Sequence, residues 1–270
     1  MAGETTHRSG WEKWHDWNAV VFASMVRWFC DASGAAPGQT ILDAACGTGL
    51  PSLALAERVH PNGKIVAIDA ATSMVAAAMR IARSAGVNNI EHRAMDLTKM
   101  EFADASFDAV TCKEGLMFCA DPVQAASELR RVLKPNGHFA MSAWDEPDKN
   151  AFFMTINQAL SRFMPRPEPR AGSPGPFRLA PLSEFESVLR RAGFTDLKTQ
   201  TVEVLFEVQS TELHWMIVSD MSAPIEQARA TLPPDAVEGL RQAMAAALEP
   251  YRDGRRIRLP NTALCISGRR

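Results

Sequence analysis

One acid followed by two glycines poses the first chemical question. Asp43 closes the apolar run Ile41-Leu42, and Ala44-Ala45-Cys46-Gly47-Thr48-Gly49 follows it. Glycines at such a turn let a ligand come close to the backbone, and a helix beginning just after them offers unsatisfied N–H groups and a positive dipole end. A turn for a dinucleotide pyrophosphate reads G-x-G-x-x-G. Here Gly47-Thr48-Gly49-Leu50-Pro51-Ser52 lacks the third glycine, and an acid at Asp43 suits a ligand bearing an ammonium group better than one bearing a pyrophosphate. Asp69, followed by Ala70, ends the next run, KIVAID. A carboxylate there is placed to accept hydrogen bonds from a ribose diol, in either cofactor class. Asp96 and Leu97 follow a third run, where the acid can accept from an adenine amino group while Leu97 frames the ring. Each acid alone is also what a turn or helix cap would use. Together, in order, they match the amino-acid tail, ribose and base of one nucleoside ligand.

A second group lies in Cys112-Lys113-Glu114-Gly115-Leu116-Met117-Phe118-Cys119, after a fourth run, FDAVTC. Glu114 is a candidate to accept a proton from a substrate or to orient its hydroxyl or amine. A solvated ion pair with Lys113, or a helix N-terminal acid, is the plainer alternative. Trp14, His15 and Trp17 form a third group, in which His15 can act as a base near neutral pH, although aromatic residues at helical spacing also serve plain packing. Trp144 and Trp215 fall near the expected pocket rims. Cys112 and Cys119 would be soft metal ligands, but cysteine behaves equally as a small buried hydrophobe. A hard divalent cation needs several converging oxygens, and only Glu114 is in view, so no metal site is expected. Cys46 reads as a small turn residue.

The elements that must hold these residues alternate. Strands are expected at 40–45, 64–69, 89–94, 107–112 and 137–143, with helices between, which predicts a parallel, doubly wound α/β sheet. Thr72 or Ser73 is the expected cap of the second helix with Gly86 at its end, and Asp121-Pro122 the start of another. Residues 11–30 place apolar side chains at 11, 14, 17, 21, 25, 28 and 29, an amphipathic helix that must cover something apolar. Residues 165–177, dense in Pro and Gly, read as an irregular connection. Beyond it follow a sheet-packing helix stopped by Gly193, a strand at 197–208, helices across 211–250 and a final strand, TALCISG. The core is therefore expected at about 34–148, 178–208 and 259–270, with helical lid segments at about 1–33, 149–177 and 209–258. The lid's Met, Trp and Phe residues suggest an apolar pocket and an aromatic or lipidic acceptor.

Twenty-nine Lys and Arg against 31 Asp and Glu leave a net charge of −2, which provides no footprint for a nucleic-acid backbone. No uncharged apolar run approaches the length of a membrane span and the N-terminus lacks a secretory h-region, so a cytoplasmic location is expected. Five scattered cysteines without a C-x-x-C pair read as reduced thiols.

Taken in order, ILDAACGTG, the acid of VAIDA, MDL, FDAV and ELRRVLKPNG resemble the successive motifs of class I S-adenosylmethionine-dependent methyltransferases, most closely the ubiquinone/menaquinone-biosynthesis type. The resemblance covers roughly residues 38–145. It implies a Rossmann-like, seven-stranded sheet with an antiparallel last strand and S-adenosylmethionine as cofactor. By the same resemblance Asp43, Ala45, Gly47 and Gly49 lie along the methionine end, Asp69 and Ala70 at the ribose, and Met74, Asp96 and Leu97 around the adenine. Lys113 is a further cofactor-binding residue in a segment that borders the reacting methyl group, and Glu114 and Met117, with Trp14, Trp17, Trp144 and Trp215, line the acceptor pocket. The Lys113-Glu114 pair departs from the uncharged or singly basic residues of that family. A nicotinamide-dependent oxidoreductase and a non-catalytic nucleoside-binding regulator are the competing readings.

Overall fold

The computed structural model describes residues 10–164 and 172–270. The chain enters through three short helices, α1 (Gly10–Lys13), α2 (His15–Val21) and α3 (Ala23–Ala32). It then alternates through β1 (Thr40–Ala44), α4 (Leu50–Arg58), β2 (Lys64–Asp69), α5 (Thr72–Ser84), β3 (Ile90–Ala94), β4 (Phe107–Lys113), α6 (Pro122–Val132) and β5 (Leu133–Trp144). After α7 (Ala151–Leu160) and α8 (Leu182–Arg191) comes β6 (Lys198–Val208), then α9 (Thr211–Met221), α10 (Ala223–Thr231), α11 (Pro234–Leu248), β7 (Arg252–Asp253) and β8 (Arg256–Arg269).

The main sheet runs β3-β2-β1-β4-β5-β8-β6. Its β1 to β5 pairings are parallel, and β8 lies antiparallel between β5 and β6. This is the expected seven-stranded sheet; the two-residue β7 adds only a hairpin to β8. Strand order reverses between β1 and β4, so the loops after these two strands splay apart and leave the crevice in which open α/β sheets bind ligands. The apolar strand runs explain the burial. Ile41, Leu42, Val110, Phe139, Met141, Leu264 and Ile266 are all buried, as strands covered on both faces require. Each such side chain contributes about 1.5–3 kcal/mol on burial.

Four local expectations need correction. The helix foreseen over 11–30 is three pieces, broken at Trp14 and Phe22. Neither Thr72 nor Ser73 caps α5: both are inside it, after the uncapped Ala71. The strand expected from 137 begins at Leu133, so Lys134-Pro135-Asn136-Gly137 lies within β5. A separate helix, α10, divides the segment 211–250. Two expectations hold: Asp121 caps α6 through the Val123 and Gln124 N–H groups, and Gly86 ends α5 in the left-handed region. Of the connection 165–177, residues 165–171 lie outside the described residues, as do residues 1–9 of the first lid segment.

The broken N-terminal segment is tied down on both sides. Lys13 Nζ and Trp14 Nε1 donate to Asp220 Oδ2 at 2.7 and 2.8 Å, on α9. Arg80 of α5 holds Glu12 through Nε at 2.8 Å and a second nitrogen at 2.5 Å. Trp17 Nε1 and the Ser24 hydroxyl donate to the Glu207 and Glu203 carbonyls of β6, each at 3.1 Å, filling acceptors that an edge strand otherwise leaves bare. These ties are partly solvated and weak in net terms. Asp220→Ala is accordingly expected to cost no more than about 1 kcal/mol of global stability, while amide exchange across α1 and α2 accelerates severalfold. Unchanged exchange there would show that the Asp220 tie does not hold the segment.

Candidate functional site

The turn after β1 is built by left-handed residues. Ala45, Gly47 and Gly49 have φ of 54°, 54° and 88°. The Cys46 N–H donates to the Ile68 carbonyl at 2.9 Å, and the Gly49 N–H to the Cys46 carbonyl at 2.8 Å. Gly49 is the N-cap of α4, with Pro51 in the first turn. A Cβ built on Gly47 would meet nothing within 4 Å, so open space borders the turn, as a ligand lying on the backbone requires. Ala45 holds its left-handed conformation against a cost of roughly 1–2 kcal/mol. Its Cβ would lie 2.4 Å from a Cβ at Gly115, which makes Gly115 obligatory after β4.

Asp43 is at the predicted turn, but its side chain does not face a ligand. It is fully buried; Oδ2 accepts from the Ser52 hydroxyl at 2.5 Å and Oδ1 from the Thr111 hydroxyl at 2.9 Å. Burial pushes the carboxyl up to about 6, against the lowering effects of those two hydroxyls and of the Lys113 charge. The expectation that this acid meets an ammonium group is therefore corrected. Asp43 pins the first turn of α4 to β4 and shapes the glycine turn from beneath.

The other two acids do face the rim. Asp69 accepts from the Gly47 N–H through Oδ2 and from the Ala71 N–H through Oδ1, both at 2.9 Å, so each oxygen keeps a further lone pair for a diol. Ala70 beside it is exposed, and Met74 stands half-buried in the first turn of α5. Asp96 is exposed, and its Oδ1 accepts from the Thr98 N–H and hydroxyl, both at 2.8 Å; these bonds hold its carboxyl below the usual range. Leu97 is buried and comes within 3.8 Å of a Cβ built on Gly115. Open backbone at Gly47, a carboxylate at Asp69 and the Asp96-Leu97 corner fit a nucleoside with a short polar tail.

The Lys113-Glu114 pair closes β4. Lys113 Nζ donates to one Glu114 oxygen at 2.9 Å and lies 4.2 Å from the centre of the Phe22 ring. Both side chains are largely buried. Glu114 has φ of 53°, rare for a residue of its size, and its N–H donates to the Ser142 carbonyl and hydroxyl, each at 3.2 Å. Its other oxygen, Oε1, is buried without a hydrogen-bond partner. Such an atom costs about 1–3 kcal/mol, more when charged. Strain together with an unsatisfied charged atom is the kind of outlier from which a functional role is inferred.

The remaining candidates scatter. His15 is half-buried with Nδ1 3.4 Å from the Thr48 hydroxyl, over the glycine turn; burial lowers its pKa, opposed by the Asp16 charge. Met117 is buried just after Glu114. Trp14 is engaged with Asp220, and Trp17 lies edge-on to Phe206 at 5.7 Å. Trp144 packs against Phe22, Phe153 and Phe206, a buried ring rather than a rim residue. Trp215 lies with Met216 and Asp220 in a small cleft on α9, which Glu114 does not line. Cys112 is a buried thiol raised far above its usual pKa, chiefly by desolvation, and burial holds Cys119 at about 11. Among the described residues no three His, Cys, Asp or Glu side chains gather as metal ligands, and no helix is long and apolar enough to cross a membrane. Sequence reasoning missed Ser52, Thr111, Ser142 and Phe22. The sequence carries no signal for the first two, since Ser52 and Thr111 meet Asp43 only in the fold.

Residues 35–165 match the model of a family described as a methyltransferase domain. The chain is 35% identical over 143 residues to the demethylmenaquinone methyltransferase of Renibacterium salmoninarum, spanning 53% of this chain and 57% of that protein. It is 35% identical over 130 residues to the 2-phytyl-1,4-naphtoquinone methyltransferase of Trichormus variabilis, spanning 47% and 55%. The chain thus spans about half the length of the curated relatives it matches. A solved structure of a putative methyltransferase from Bacillus halodurans superimposes with a TM-score of 0.60 at 18% identity, over 90% of this chain and 97% of that one. The fold is that of the Rossmann-like methyltransferases. Within it, residues 35–165 carry the methyltransferase-domain pattern.

Two outcomes follow from the turn. Gly115→Ala places a methyl group against Ala45 and is expected to destabilise the fold by about 1–3 kcal/mol in urea titrations; a neutral result would show that the turn yields. Asp43 binds its proton more tightly folded than unfolded, so its contribution to stability falls as pH rises from about 4 to about 6, the cost being complete above that. Asp43→Asn removes this dependence. The difference in unfolding free energy between the wild type and Asp43→Asn is expected to shift by about 3 kcal/mol across the window, and a flat difference would contradict the assignment.

Proposed function

We propose that the chain is an enzyme that transfers the methyl group of S-adenosylmethionine to a small, apolar, ring-bearing acceptor, on oxygen, carbon or nitrogen. The observation that carries this reading is the buried, unpartnered Oε1 of Glu114 at the end of β4, beside the glycine turn. In the assignment, the backbone of Ala45, Gly47 and Gly49 holds the methionine end, Asp69 and Ala70 the ribose, and Met74, Asp96 and Leu97 the adenine. Asp43 acts only by holding the turn. The named relatives act on quinone-type rings, which supports an aromatic acceptor. The segments at about 1–33, 149–177 and 209–258 are assigned as a lid over the remaining core. The near-neutral net charge supports a small molecule rather than a nucleic acid, and a cytoplasmic location is part of the same reading.

The bound sulfonium supplies an already activated methyl group, so the protein's task is positioning and exclusion of water. Lys113 holds one Glu114 oxygen and fixes the carboxylate. Oε1 is left to take the proton of an acceptor hydroxyl or ammonium, or to orient it. Phe22 covers the pair from the lid side, with its ring against Lys113. His15, over Thr48, shields the glycine turn; its position supports a cofactor-side role better than a base role at the acceptor. No observation favours a nicotinamide reading or a non-catalytic regulator.

Calorimetry with S-adenosylhomocysteine is expected to show binding, weakened at least about tenfold in Asp69→Ala. Binding of NAD in its place would sink the proposal. Glu114→Gln is expected to leave that affinity within about twofold while lowering kcat by roughly 10²–10⁴-fold, as loss of an acid–base group does. Unchanged turnover would remove Glu114 from the chemistry.

A further inference from the structure

His214 is the most deeply buried imidazole among the described residues, and neither of its ring nitrogens has a hydrogen-bond partner. It lies on α9, in the lid, with its ring edge-on to Phe152 at 5.8 Å. From Phe152 the rings continue: Phe152 to Phe206 at 4.5 Å, Phe206 to Phe22 at 5.7 Å, and Phe22 beneath Lys113 Nζ at 4.2 Å. The row thus runs from one buried polar group without a partner, Glu114 Oε1, to another, His214. Phe22 and Phe206 are buried, but Phe152 and Trp17, which meets Phe206 edge-on, are only half-buried, so these two rings keep uncovered area although the imidazole is sealed. Burial lowers the His214 pKa to about 4, and a neutral ring has one N–H donor and one acceptor lone pair.

Buried polar atoms in folded proteins are nearly always paired. An apolar seam with an unpaired polar group at each end is matched by a ligand that is apolar along its length and polar at both ends. We propose that His214 is a second recognition point of the acceptor site, and that the acceptor carries a hydroxyl at the end remote from its methyl-accepting atom. A hydroxyl both donates and accepts, the complement of a neutral imidazole. A plain hydrocarbon tail leaves both nitrogens unpaired, so His214 selects against it. The inference rests on the acceptor reading of Glu114, but it concerns binding and is tested without turnover.

The probes are para-alkylphenols with chains from hexyl to dodecyl, each with and without a terminal hydroxyl, bound to the full chain and followed by calorimetry. In an apolar site that lacks a polar partner, the added hydroxyl weakens binding. Here one chain length is expected to gain roughly tenfold or more from it. That gain is expected to vanish in His214→Phe, which keeps the affinity for the plain alkylphenol, and to return in part in His214→Gln, which keeps a donor and an acceptor. With ring-¹⁵N-labelled histidine, only the hydroxylated probe of that length should shift the His214 nitrogens. No gain at any length, or a gain that survives His214→Phe, overturns the proposal; so does a preference for a terminal carboxylate over the hydroxyl. Should the phenylalanine variant fail to fold, the glutamine variant and the nitrogen shifts carry the test. A chain that shows the hydroxyl preference but binds no S-adenosylhomocysteine would refute the methyltransferase reading and leave His214 as a ligand site.

Discussion

A carboxylate shut away from water organises this site. Asp43 is surrounded by protein, and its desolvation is offset by hydrogen bonds from Ser52 and Thr111 and by the nearby charge of Lys113. These come from the first turn of α4, from the middle of β4 and from its last residue. The geometry of the glycine turn, the direction in which α4 starts and the end of β4 are thereby set by one buried group. Removing a partner of such a group is far more costly than forming the pair is favourable. That asymmetry keeps the two loops flanking the crevice in a fixed relation.

On this rigid floor the polar groups of the proposed acceptor side are left incomplete. Lys113 is shared between a carboxylate and an aromatic face, and Glu114 is held in a strained backbone conformation with one oxygen unpaired. The cofactor side is handled differently. Asp69 and Asp96 are already hydrogen-bonded to neighbouring N–H groups and hydroxyls, so they are oriented before anything binds. Pre-orientation suits a ligand common to many enzymes of one fold. Unpaired groups suit the proposed acceptor.

The alternation of apolar runs with helical patterns made the parallel sheet legible, and the Asp43–Gly49, Asp69 and Asp96 spacing placed the glycine turn and two acids after the first three strands, because backbone geometry dictates both. The direction of a side chain was not legible. Asp43 stands where expected but faces inward, a fact decided by Thr111 more than sixty residues away. Trp144 and Trp215 were placed at a rim by their position after strands or in helices; tertiary packing buried the first among rings and set the second in a separate cleft. His214 gave no signal at all, since one histidine in an apolar helix looks like any other until its neighbours are known.

The N-terminal helices place His15 beside Thr48 and Phe22 beside Lys113, and they also finish the sheet. Trp17 and Ser24 fill outward carbonyls of β6, the last strand in the sheet order. Lifting the whole segment away to admit a ligand would strip that edge and leave a long strand open to pairing with any other exposed strand. The breaks fall at Trp14, ahead of both ties, and at Phe22, between them, so each of the two longer helices makes its own contact with the edge. The same short stretch of chain thus borders the glycine turn through His15 and shields the last strand from pairing with another through Trp17 and Ser24.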